Sequence, residues 1–102
     1  MSPRSRIVER VQTGVRIEKR LLKVVKGLAE TLDLTVGDLL EGVLLHAFEG
    51  KAPFGPAALE TIARLREIYA LDLRAADSHK LFEKEESRAG QHRKPRAPAR
   101  KR

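Results

Sequence analysis

The stretch VQTGVRIEKRLLKVVKGLAETLDLTVGDLLEGVLLHAFEG, residues 11–50, decides how this chain folds. Its first seven residues alternate. Val11, Thr13, Val15 and Ile17 are apolar or β-branched, and Gln12, Gly14 and Arg16 fall between them. A period of two places one set on each face of a strand. Two amphipathic segments follow at once, at 18–32 and 36–48. A lone strand cannot satisfy its own backbone hydrogen bonds, and the rest of the sequence offers no second strand. Either residues 11–17 are not a strand, or the partner strand comes from a second copy of the chain.

The first helical segment carries Leu21, Leu22, Val24, Val25, Leu28, Ala29 and Leu32 as an apolar stripe. Lys19, Arg20, Lys23 and Lys26 lie mainly off that stripe, and Glu30 and Asp33 come late. Basic early and acidic late is opposite to the preference of the helix dipole, at a few tenths to about 1 kcal/mol per charge. The order makes sense if the basic end approaches an anion. Thr35 is an N-cap residue by type, with Asp38 three positions on. The second segment repeats at helical spacing through Val36, Leu39, Leu40, Val43, Leu44, Ala47 and Phe48, and Gly50 ends it. Leu45 lies off this stripe and marks a second buried face, and Gly42 suggests a close helix approach.

Outward from this stretch the chain changes character. Residues 1–10 are polar and read as a flexible basic arm, with Arg4, Arg6 and Arg10 in reach of phosphates. Residues 51–86 read as a helical extension. KAPFGP breaks the chain at 51–56, a third helix spans 56–70, and a short fourth is possible at 75–86. Residues 87–102 hold no large apolar side chain and two prolines, the composition of a disordered basic tail.

Charge is segregated. The net charge of +7 divides into +6 over residues 1–26, −6 over 27–86 and +7 over 87–102. Basic ends of this kind suit a polyanion such as nucleic acid. The hydrophobic fraction of 41% with only four aromatic rings implies a modest aliphatic core, of the size oligomers often complete. No apolar run approaches a membrane span, and the start has no secretory segment, so a cytoplasmic location and no membrane contact are expected.

Enzymatic chemistry finds little support. Cysteine is absent, and His46, His79 and His92 sit in no metal-ligand spacing, so neither metal nor cofactor is expected. Asp77-Ser78-His79 are consecutive, whereas triad members converge from separate elements. The seven glycines fit no phosphate-loop spacing.

An alternating strand, an immediate helix, a Thr-capped joint and a second helix ending in Gly, over residues 11–50, resemble the ribbon-helix-helix (MetJ/Arc-type) family of DNA-binding proteins. The resemblance implies a mainly α fold. One short N-terminal strand is paired between two chains, with two core helices in each and one or two C-terminal helices added. It implies a homodimer, a two-stranded ribbon in the major groove of double-stranded DNA, and a role in transcription regulation. By the same resemblance Thr13, Val15 and Ile17 face inward and Gln12, Gly14 and Arg16 face the bases. Thr35, Val36 and Gly37 then anchor a phosphate through the amides of a helix start. Gln and Arg suit adenine and guanine edges, but Gly14 departs from the polar residue often found at the central position. Lys19, Arg20 and Lys23 complete the expected phosphate contacts. Two alternatives stand beside this. One is an antitoxin-like protein whose residues 51–86 bind a partner protein, and the other is non-specific nucleic-acid binding through the basic tail.

Overall fold

The computed structural model describes residues 6–83, in two units divided after Leu71. The first unit holds three helices: α1, Lys19–Leu32; α2, Val36–Phe48; and α3, Pro56–Ile68. Both α2 and α3 pack on α1.

Local chemistry sets the helix ends. Glu18 caps α1, its Oε1 accepting from the Leu21 amide at 2.8 Å. That single carboxylate supplies the negative charge missing from the first turn. Asp33 closes α1 at φ 60°, a left-handed conformation that Asp tolerates better than most residues. The Leu34 amide then reaches back to Ala29 O at 2.9 Å. Thr35 Oγ1 accepts from the Asp38 amide at 3.0 Å and caps α2, as its position predicts. Gly50, at φ +72°, follows α2 in the left-handed region that glycine enters freely. Pro56 opens α3.

The core is small and aliphatic. Leu28 and Ala29 of α1 meet Leu39 of α2, with Val25, Val36, Val43, Phe54, Ile62 and Leu65 packed around them. Val24 and Leu71 are also buried. Leu71 arrives through a turn beyond α3, where Ala70 sits at φ 55° and the Leu71 amide donates to Arg66 O at 2.9 Å. Of the two glycines, it is Gly27 and not Gly42 that faces a neighbouring helix closely. A Cβ at Gly27 would stand 2.9 Å from Leu65 Cδ2, whereas one at Gly42 meets open space. Because the obstacle is the end of a movable side chain, Gly27→Ala is expected to change stability by less than about 1 kcal/mol, propensity offsetting the shift. Gly27→Val is expected to cost about 1–3 kcal/mol by overpacking. Urea unfolding of both variants checks the contrast.

Two expectations are corrected. Residues 11–17 form no strand, and the first unit is helical. The ribbon-helix-helix ribbon is therefore not part of this fold. Alternation supplies two faces but not a ladder, and among the described residues there is no neighbouring strand to bond with. The apolar face buries little: Val11 is 79% and Val15 72% exposed, and only Ile17, next to α1, is partly covered. In the second unit the fourth helix shrinks to a single 3₁₀ turn, Ala75–Asp77, with Asp77 Oδ2 accepting from the Arg74 amide at 2.7 Å. Leu81 and Phe82, the large apolar residues of that segment, are exposed. Residues 1–5 and 84–102 lie outside the described part, and with them Arg4, the first half of the arm and the basic tail.

Candidate nucleic-acid interface

Helix α1 sorts its basic residues by register. Its buried residues Val24, Leu28 and Ala29 turn toward the other helices. Lys19, Lys23 and Lys26, at i, i+4 and i+7, fall on the opposite face, and all three are exposed. Seven residues of helix rise by about 10 Å, close to three steps along a DNA strand. The Lys23 ammonium stands 5.7 Å from the centre of the Tyr69 ring, a cation–π contact that steadies it at the edge between α1 and the end of α3. Lys26 was placed off the apolar stripe by the sequence but was not among the expected phosphate contacts. Its seven-residue spacing from Lys19 was the available signal.

Arg20 lies off this stripe and is engaged by groups of its own unit. Its Nη1 donates to Ala70 O at 3.0 Å and its Nε to Glu18 Oε2 at 3.0 Å. It thus ties the start of α1 to the turn that delivers Leu71. Desolvation works against the ionised Glu18 carboxyl, but the Leu21 amide and Arg20 outweigh it and hold the group below the usual carboxylate range.

The arm follows a different logic. Arg10 is paired with α2: Nε donates to Glu41 Oε2 and Nη2 to Glu41 Oε1, both at 2.8 Å, with Asp38 Oδ1 at 3.4 Å from Nη2. The hydrogen bond from Arg10, then its charge, lowers the Glu41 carboxyl below its ordinary range. Arg6, Gln12 and Arg16 are exposed on the non-helical segment before α1, and nothing lies within 4 Å of where a Gly14 side chain would begin.

The start of α2 is a mixed environment for an anion. Thr35 and Gly37 are exposed, but Val36 packs against the core. The Asp38 amide is already taken by Thr35 Oγ1, and the Asp38 and Glu41 carboxylates follow within two turns. Like charge there opposes a phosphate that the helix start alone would attract.

The structure thus gathers Lys19, Lys23 and Lys26 into one stripe. Arg10 and Arg20 are held on carboxylates, and Gln12, Gly14 and Arg16 stand on an exposed segment. His46 Nδ1 lies 2.7 Å from Gly42 O, a local backbone contact within α2. Among the described residues no His, Cys, Asp or Glu cluster is placed to hold a metal ion, and no helix is long and apolar enough to cross a membrane. No family model, curated protein or solved structure matches this chain.

Proposed function

We propose that the chain is a double-stranded-DNA-binding protein that acts as a homodimer in transcription regulation. The lysine stripe of α1 carries this reading. Three exposed ammonium groups in register along about 10 Å of helix match a phosphate backbone better than a random solvated face. The arm adds Arg6 and Arg16, and the sequence adds Arg4 and a tail of charge +7. Gln12 and Arg16 are the side chains suited to base edges, so sequence preference is assigned to them.

Dimerisation is supported by the second face of α2. Val36, Leu39 and Val43 turn to the core, while Leu44, Leu45 and Phe48 are exposed, Phe48 at 79%. Large apolar groups clustered beside so small a core mark an interaction surface. A second copy is the occupant proposed. The full chain is expected to sediment as a dimer at micromolar concentration. Phe48→Lys combined with Leu44→Lys is expected to give a monomer that keeps its helical circular dichroism. A wild-type monomer at these concentrations excludes the dimer.

The partner-protein alternative loses part of its ground here. Ile62 and Leu65 of α3 pack against the core and Leu71 is buried, so residues 51–71 largely complete the first unit. Residues 72–83, with exposed Leu81 and Phe82, are what remains of the described extension for a partner. Co-purification of a second protein lost on Phe82→Ala would favour that alternative.

A further inference from the structure

The contact between Arg10 and α2 joins residues 31 positions apart and uses the group that a basic arm would offer to DNA. Glu41 takes both the Nε and Nη2 hydrogens of the guanidinium fork. Asp38 faces the same nitrogen. An arginine so engaged presents its fork to a carboxylate in the manner it would present it to a phosphate. The surrounding arm is not anchored by burial: Val8 and Val11 are exposed on either side of Arg10, and Ile7 is fully exposed.

We propose that Glu41, assisted by Asp38, holds Arg10 in a carboxylate latch that keeps the N-terminal arm on α2 until a nucleic-acid phosphate takes the guanidinium over. The proposal rests on the DNA-binding reading above. Three features carry it. The ion pair is well formed, with both guanidinium–carboxylate hydrogen bonds at 2.8 Å. It is exposed, with 61% of the Arg10 and 47% of the Glu41 side chain open to solvent, so it is weak enough to exchange. The carboxylates themselves repel a phosphate backbone, so their grip on Arg10 both hides a cation and masks two anions. Release of Arg10 also lets the exposed Val8 and Val11 on either side of it move, which links phosphate contact to the placement of Gln12.

The test uses the full chain as wild type, Glu41→Gln, Arg10→Ala and the double variant. All of these positions are exposed, and circular dichroism verifies folding. In the free protein, tryptic cleavage after Arg10, measured against cleavage after Arg6, is expected to rise roughly two- to fivefold in Glu41→Gln, the range set by an exposed ion pair. An unchanged ratio overturns the latch, whatever the protein does with DNA. With a 20-base-pair duplex, Glu41→Gln is expected to bind roughly two- to fivefold tighter than wild type. In the Arg10→Ala background most of that gain is expected to vanish. Equal gains in both backgrounds reduce Glu41 to a general repulsive charge and overturn the handover. Weaker binding by Glu41→Gln overturns it too, making the pair a positioning device instead. If wild type fails to bind the duplex while the cleavage ratio still rises, the DNA-binding reading fails and the handover fails with it, although the ion pair itself holds the arm.

Discussion

Replacing Lys19, Lys23 and Lys26 together by alanine is expected to weaken duplex binding about 100-fold for each protomer engaged, at roughly 0.15 M salt. The magnitude follows from counterion release. Each lysine–phosphate contact contributes about 0.9 to the slope of log Kobs against log salt, equivalent to about fivefold in affinity at that salt. Three contacts multiply to about 10². The slope itself is expected to shrink by about 0.9 for each lysine removed, for every protomer engaged. Arg20→Ala supplies the contrast. Its guanidinium is spent on Glu18 and the Ala70 carbonyl, so the variant is expected to lose about 1 kcal/mol of stability, with little change in the salt slope. A triple variant that binds like wild type moves the interface away from α1. If binding also survives Arg16→Ala, the arm is removed as the alternative and the basic tail becomes the reader.

The second large effect belongs to the core. Leu28→Ala is expected to destabilise the protein by about 3 kcal/mol, within the range for buried leucines. Leu28 is 3% exposed and stands in the cluster where α1 meets Leu39 of α2. With five buried hydrophobic residues in the described part, few neighbours are available to collapse into the void. A loss of that size is a large share of the stability of any small domain. Leu59→Ala on α3, at a half-exposed position, is expected to cost well under 1 kcal/mol. Urea unfolding measures both, and under the proposed dimerisation the midpoint is expected to rise with protein concentration. Equal losses for Leu28 and Leu59 contradict the packing described.

The two helices of residues 18–50 were legible because their apolar residues repeat at helical spacing and Thr35 is a cap by type. Observed limits, 19–32 and 36–48, fall within a residue of those expected. The strand was misread for a physical reason. Alternation at Val11, Thr13, Val15 and Ile17 describes which way side chains would point if a strand formed, and says nothing of whether a ladder exists to hold one. The rest of the site depended on long-range geometry. No local pattern brings Arg10 to Glu41, or delivers Leu71 to the core through a left-handed turn at Ala70. Arg20 and Lys23 look alike in sequence. One turn of register sends Arg20 to the α3 end as a tie and leaves Lys23 at the surface over Tyr69. The lysine stripe, by contrast, was written in the spacing of Lys19, Lys23 and Lys26 and needed only the helix limits to be read.

The most direct test is the equilibrium binding of the wild-type chain to a 20-base-pair duplex across a salt series from about 50 to 200 mM. Backbone contacts through the α1 lysines and the arm require log Kobs to fall linearly with log salt, with a slope of about −3 or steeper. Binding that ignores salt, or none at the lowest salt, contradicts a DNA-backbone interface on this protein.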